Sequence, residues 1–276
     1  MKKFVALLSA VLLAVLSLAG CGTPSDTIGQ ADSAVGSESQ TQESDLAYVQ
    51  DKGTLVVGIT DFEPMDYKDE NGNWIGFDAD LATAFAESLG VAVEFVEIDW
   101  GNKVPELNGK SIDCVWNGMT LTPEVTSAMD CSEPYCNNQQ VVIVPAAEAD
   151  AYQTAEDCAE LSFAVETGSA GRDMAEENGF AYTEVKDQAT AVMEVASGTS
   201  DAAIIDSLMA AAMVGEGTGY ADLTYTVRLN SEEYGVGFRK GSDLTEKLNA
   251  FFDQAKADGT MDEIAAKYGV QAALIP

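Results

Sequence analysis

The 276-residue sequence contains no histidine. That removes Ser-His and Cys-His dyads, imidazole metal sites and the commonest general base, but does not remove carboxylate or lysine chemistry. Basic residues are scarce as well: 14 Lys and Arg stand against 46 Asp and Glu, a formal net charge of −32. Such a surface repels nucleic acid and anionic membranes. The acids are spread along the chain rather than gathered in a tail, so they read as a solubilising surface. Cysteine is limited to five and no Cys-x-x-Cys occurs, which gives metal ligation by thiolates little support and points to no cofactor. Cys114, Cys131, Cys136 and Cys158 allow three pairings in an oxidising compartment, with Cys131 and Cys136 close enough in sequence to bridge. The apolar run at residues 4–18 is too short to span a membrane comfortably.

What is present is a globular composition, 46% hydrophobic, enough to build a core. Residues 1–20 read as a targeting segment: Lys2 and Lys3 start it, the apolar run follows, and Leu18-Ala19-Gly20-Cys21 looks like a bacterial lipobox. Lipidation of Cys21 would place the protein at the outer face of the cell membrane. Residues 21–45 are rich in Ser, Thr, Gln, Gly and Asp and lack aromatics, a flexible tether that spans roughly 25–30 Å as a coil.

From about Leu46 the pattern alternates between β-rich runs (54–59, 91–98, 112–115, 139–144, 161–165, 182–185, 202–205, 223–227, 234–238) and helical segments. Asn71-Gly72 marks a turn between two short strands. Asp78 or Asp80 caps the helix that carries Leu81, Phe85 and Leu89. This alternation predicts mostly parallel α/β sheets. A composition shift after Pro145 and a return near residue 232 divide the fold into a first lobe, 46–143 with 232–276, and a second, 144–231. Two crossings between lobes imply a hinge that can close a cleft.

The stretch Trp116-Asn117-Gly118-Met119-Thr120-Leu121-Thr122-Pro123-Glu124-Val125 joins the strand at 112–115 to a helix started by Pro123 and capped by Thr122. It reads as a polar loop at a sheet edge, where ligands bind in open α/β folds. With Gly76-Phe77-Asp78-Ala79-Asp80-Leu81, Gly109-Lys110-Ser111-Ile112-Asp113, Ser132-Glu133-Pro134-Tyr135 and residues 201–206, it resembles the motifs of family 3 extracellular solute-binding proteins, the polar amino acid receptors of ABC importers. The resemblance runs in order from 54 to 269. It implies a type 2 periplasmic-binding-protein-like α/β fold with two lobes, and a monomer that captures a small polar solute and docks on permease subunits. It implies no catalysis and no contact with nucleic acid. A sensor domain or a dehydratase-like enzyme on the same fold are the alternatives.

The same resemblance implies a ligand site between the lobes. Phe62 and Trp100 match aromatics that sandwich the ligand side chain, and Trp116 either lines the cleft or plugs the core. Asn117, Gly118 and Thr120 match polar contacts to the ligand's amino and carboxylate groups. Asp206 matches the acid that binds the α-ammonium, and by its place it also suits the N-cap of the following helix. Gly168, Ser169 and Ala170 precede a helix whose N-terminus suits an anion. Val125 stands where the family has a carboxylate-binding arginine. Either the ligand lacks an α-carboxylate, or the segment from Gly168 to Arg172 takes it over; Arg172 also suits an i,i+4 pair with Glu176. The anchoring motif generates a first expectation. Cys21→Ala should release the protein into the soluble fraction, checked by fractionation and mass spectrometry; a variant still at the membrane with an intact lipid mass would refute it.

Overall fold

The structure is a computed structural model that describes residues 44–276. The leader, Cys21 and nearly all of the tether lie outside the described residues. The described residues begin one position before the expected end of the tether. Ser44 caps helix α1 (Asp45–Lys52) by accepting from the Ala47 N–H, and Gly53 ends it in the left-handed conformation. Asp45 is buried because Arg239 pairs with it.

The chain continues through strand β1 (Thr54–Ile59), the short strands β2 (Tyr67–Lys68) and β3 (Trp74–Ile75), helix α2 (Phe77–Ser88), β4 (Ala92–Glu97), α3 (Lys103–Asn108), β5 (Cys114–Thr120), α4 (Pro123–Ala128), β6 (Asp130–Cys131) and β7 (Cys136–Asn138). It then runs through β8 (Gln140–Pro145), β9 (Ser162–Glu166), α5 (Ala170–Asn178), β10 (Ala181–Val185), α6 (Gln188–Ser197), β11 (Ala202–Asp206), α7 (Ser207–Met213) and β12 (Leu223–Arg228). Strand β13 (Glu232–Phe238) and helices α8 (Leu244–Asp258) and α9 (Thr260–Tyr268) follow.

Two sheets result. The first has the order β4-β1-β5-β13-β6, with β7 also on β13; the second has the order β10-β9-β11-β8-β12. β1 runs parallel to β4 and β5, and β9 runs parallel to β10 and β11. The strands nearest the crossings, β8, β12 and β13, pair antiparallel with their neighbours. Side-chain alternation along β8 shows why the second sheet is apolar throughout. Val142 and Val144 pack with Phe163, Val165 and Ala175 of α5 on one face. Val141 and Ile143 pack with Ala191, Val192 and Val195 of α6 on the other.

The chain leaves the first sheet after Asn138, so residues 140–143 belong to the second sheet rather than to the first lobe expected from composition. It returns through residues 229–231. The two crossings lie side by side: the Leu229 N–H donates to the Gln140 carbonyl (2.9 Å), and the Gln140 N–H donates to Asn230 Oδ1 (2.7 Å).

Three further expectations change. The stretch 116–120 is not a loop but the second half of β5, because β13 supplies antiparallel partners up to Tyr234 opposite Thr120, with a register shift between Gly235 and Gly237. Neither Asp78 nor Asp80 caps α2, whose N-cap is Gly76. Asp78 turns inward and accepts from the Gly118 N–H (2.6 Å) and the Tyr135 hydroxyl (2.8 Å), while Asp80 pairs with Lys267 (2.6 Å). Cys114, Cys131, Cys136 and Cys158 are all free thiols, so no bridge joins Cys131 to Cys136. These two residues lie opposite Gly237 and Tyr234, three positions apart along β13.

Arg239 ties the first lobe together. Its guanidinium donates to both Asp45 oxygens (3.1 Å from Nε) and to the carbonyls of Leu107 (3.2 Å) and Ile112 (2.9 Å). It also lies 3.5 Å from the fully buried Asp113, which Lys52 pairs at 2.6 Å. One cation thus fixes α1, the end of α3 and the approach to β5 against the end of β13. Arg239→Ala would leave buried acids short of a partner and should lower stability by about 3–5 kcal/mol. Urea unfolding checks this; a loss below about 1 kcal/mol would place the cluster with exposed ion pairs.

Candidate functional site

The site begins with one glycine. Gly118 has φ +54°, and a Cβ there would lie 2.5 Å from Phe62 Cε1. The bare backbone therefore lets the Phe62 ring lie across β5, where it meets Tyr234 edge-on at 6.4 Å. Asn117 holds the loop that carries Phe62. Its Oδ1 accepts from the Thr60 N–H (3.0 Å) and hydroxyl (2.7 Å), and its Nδ2 donates to the Thr60 carbonyl (3.1 Å) and to Asp66 (2.8 Å). The Gly118 N–H is likewise engaged, by Asp78. Burial raises the Asp78 carboxyl to about 7, with the Gly118 and Tyr135 hydrogen bonds opposing the rise.

A cavity of about 340 Å³ lies between the sheets. It takes in Phe62, Trp100, Asn117, Gly118 and Thr120 from the first lobe and Gly168, Ser169, Ala170, Arg172 and Asp206 from the second. Ten of the eleven residues expected to contact a ligand therefore meet at one cavity. Trp116 is the exception. It is fully buried in the core, 6.2 Å from the Phe85 ring and 5.6 Å from that of Phe252.

Val125 also lines the cavity. It is held by Thr122, which caps α4 through the Val125 N–H (3.2 Å), and it packs among Ile98, Trp100 and Met129. The cation at this wall is Lys103, which the sequence alone does not single out. Its ammonium lies 4.7 Å over the Trp100 ring and donates to the Trp100 carbonyl (3.3 Å) and, across the cavity, to the Gly168 carbonyl (2.9 Å). Desolvation lowers its pKa, opposed chiefly by Glu166. A second contact between the two sheets' elements, outside the cavity lining, joins Glu97 to Lys186 at 2.7 Å. Arg172 is surrounded by acids on its own side: Asp173 at 2.9 Å, Glu176 at 3.7 Å and Glu184 at 3.9 Å. The i,i+4 pair expected for it is present. Ser169 caps α5 through the Arg172 N–H (3.1 Å), so the first turn of that helix opens onto the cavity.

Asp206 occupies the N-cap position of α7 without making a side-chain cap. Its carboxylate turns instead into a network at the crossings. It accepts from Tyr234 Oη (2.6 Å), Gln140 Nε2 (3.0 Å), Asn138 Nδ2 and Gln188 Nε2. The same Asn138 and Gln140 amides also donate to Glu232 Oε1, at 2.7 and 2.8 Å, and Thr120 Oγ1 does so at 2.9 Å. Desolvation, then the charge of Glu232, raises the Asp206 carboxyl to about 8, against the opposing hydrogen bonds from Tyr234 and Gln188. At the neighbouring strand end Glu166 is also buried and lines the cavity, and its pKa is raised well above the ordinary value by desolvation and by Asp206. Glu166, Gln188 and Glu232 are cleft or hinge residues that the motifs do not reveal; only their position at or beside strand ends could have indicated them.

Two sheets joined by paired crossings over a cavity of this kind are the architecture of a two-lobed binding protein. Residues 55–271 match the model of the bacterial extracellular solute-binding proteins, family 3, and the chain belongs to that family. It is similar to the arginine-binding extracellular protein ArtP of Bacillus subtilis (strain 168), at 29% identity over 277 residues, covering 97% of this chain and 98% of that protein. Among solved structures it is similar to the ancestral amino acid-binding protein AncCDT-1, a precursor of cyclohexadienyl dehydratase. Identity there is 35% and the TM-score 0.75, over 82% of this chain and 99% of the other. It is also similar to an ABC uptake transporter substrate binding protein from Streptococcus pneumoniae with bound histidine, at 29% identity and a TM-score of 0.76, over 82% of this chain and 97% of the other.

The Asp206 carboxyl carries a pH prediction. An unfolded aspartate titrates near pH 3.9, roughly four units below the folded group. The folded state therefore binds this proton more tightly. Its stabilising contribution is complete below about pH 4 and fades as pH rises toward about 8. Asp206→Asn imitates the protonated form, so in melting experiments without solute the variant should gain on the parent between pH 5 and pH 9. A difference independent of pH, or one of opposite slope, would contradict the assignment.

Proposed function

We propose that this protein captures an amino acid or a related amine-bearing solute in the cleft and presents it to the permease of an ABC transporter. In this reading a lipid on Cys21 holds it at the outer face of the cell membrane, and the protein works as a monomer. The lobes that close on the solute are the two sheets with their helices, turning about residues 138–140 and 229–231. One observation carries the reading: two aromatic side chains, Phe62 and Trp100, and a buried acid, Asp206, line a single cavity at the crossing. Aromatic faces attract a cationic nitrogen by roughly 0.5–2 kcal/mol. A buried carboxylate adds a charge-assisted bond to it. That similar proteins bind arginine or histidine supports a solute with positive nitrogen.

A carboxylate on such a solute would meet Val125, which offers no donor. We place that group instead at the start of α5, where Gly168, Ser169 and Ala170 line the cavity beside the helix N-terminus. Lys103 is close enough to accompany it, since its ammonium already bonds to the Gly168 carbonyl. It suits the role better than Arg172, whose guanidinium has three acids about it. Thr120 completes the first-lobe wall, while Asn117 and Gly118 act by placing Phe62.

A cation arriving at Asp206 favours its ionised form, so binding at neutral pH should release a proton. Titration calorimetry in buffers of different ionisation enthalpy reads this directly. With L-arginine and L-histidine as probes, Asp206→Asn should weaken binding by about 1.5–3 kcal/mol, the range for hydrogen bonds to charged groups. Unchanged affinity in that variant would remove Asp206 from the ligand contacts.

A further inference from the structure

Glu166 is the last residue of β9, and its strand lies directly beside β11, which ends at Asp206. The residue is 2% exposed, yet it forms part of the cavity wall. Its Oε1 is buried and has no hydrogen-bond partner among the described residues. Leaving a buried carboxylate oxygen without a donor is costly, and native structures hold such groups mainly where something else supplies the donor.

The neighbours do not supply it. Gln188 gives its amide to Asp206 and takes the Asp206 N–H on its oxygen (2.8 Å), although it also lies close enough to Glu166 to oppose the rise in its pKa. The nearest cation, Lys103, is committed to the Trp100 and Gly168 carbonyls. Asp206 and Asp187 are acids and only add to the negative potential, and the Asp187 oxygen Oδ1 caps α6 through Thr190 (2.8 Å). By contrast, Asp206 takes donors from four side chains. The wall thus holds two acids of different kinds: Asp206, whose Oδ1 takes three side-chain donors and whose Oδ2 takes one, and Glu166, whose Oε1 takes none.

We propose that Glu166 is a specificity-determining ligand contact whose carboxylate takes a second cationic group of the solute, a guanidinium or primary ammonium on its side chain. The proposal rests on the reading of the cleft as a site for amine-bearing solutes and narrows it to dicationic ones. Asp206 holds the first nitrogen, and Phe62 and Trp100 flank the chain that joins the two.

The test compares L-arginine with L-citrulline, its uncharged isostere, and with agmatine, which lacks the carboxylate, by calorimetry on the parent and on Glu166→Gln. The parent should prefer arginine over citrulline. Glu166→Gln should weaken arginine by roughly 10- to 100-fold, the loss of one hydrogen bond to a charged group, while changing citrulline by no more than about twofold. A merely structural role would lower both affinities together and the melting temperature with them. The proposal is overturned if the arginine-to-citrulline ratio is the same in parent and variant, or if the parent binds citrulline as tightly as arginine; in both cases amine-solute capture survives. If the parent binds agmatine but neither amino acid, and Glu166→Gln loses agmatine, the dication proposal holds and the amino acid reading fails. A parent that binds none of the three refutes both.

Discussion

The constraint on which this structure turns is the burial of the Asp206 carboxylate beside the half-buried Glu232, at the point where the chain passes between its sheets. Neither acid could remain there without donors, and two of those donors are shared amides, Asn138 and Gln140. Both amides sit on the outgoing crossing, while Glu232 and Tyr234 sit on the returning one. The network that satisfies the acids is therefore also what holds the two crossings together. In the proposed reading a solute cation placed against Asp206 would touch these crossings directly, which would couple binding to lobe orientation through one set of hydrogen bonds rather than through an intervening path.

The first lobe prepares the other wall by a similar economy. Gly118 makes room for the Phe62 ring, Asp78 holds the Gly118 N–H, and Asn117 secures the loop on which Phe62 rides. Residues that read as ligand contacts in the motif thus act in part behind the wall. The buried Arg239 cluster keeps β13, whose far end belongs to the hinge, in register with α1 and the strands beside it.

The order of elements was legible because the apolar runs are short, separated by turn residues and alternate with amphipathic segments. Caps at Ser169, Thr122 and Asp187 act on the helices they precede. The site was legible where small polar residues interrupt apolar strands, at Asn117-Gly118 and at Gly168-Ser169-Ala170. Other residues were hidden for physical reasons. Lys103 and Glu166 look like any solvated charge until the opposite lobe covers them. Trp116 follows an apolar run, and nothing local says whether its ring meets helix α8 or the cleft. Asp78 sits in a first helical turn, where capping is the ordinary role of an acid, and its partner Gly118 lies forty positions away in sequence. Asp45, at the start of α1, is held by Arg239, nearly two hundred positions distant. Contacts of such separation are set by the assembled sheets, not by local pattern.

The side-by-side crossings have a mechanical consequence. Two segments tied side by side by a backbone hydrogen bond and a side-chain one form a ribbon, which bends more easily across its flat face than it twists or shears in plane. In the proposed closure such a ribbon would favour one bending motion of the lobes, and solute would exchange at the side where Lys103 reaches Gly168 and Glu97 meets Lys186. In the proposed reading, dwell time would be set by a few rim contacts and affinity by the floor. The two quantities can drift independently under mutation, with the rim tuning how long a captured molecule stays and the floor deciding which molecule it is.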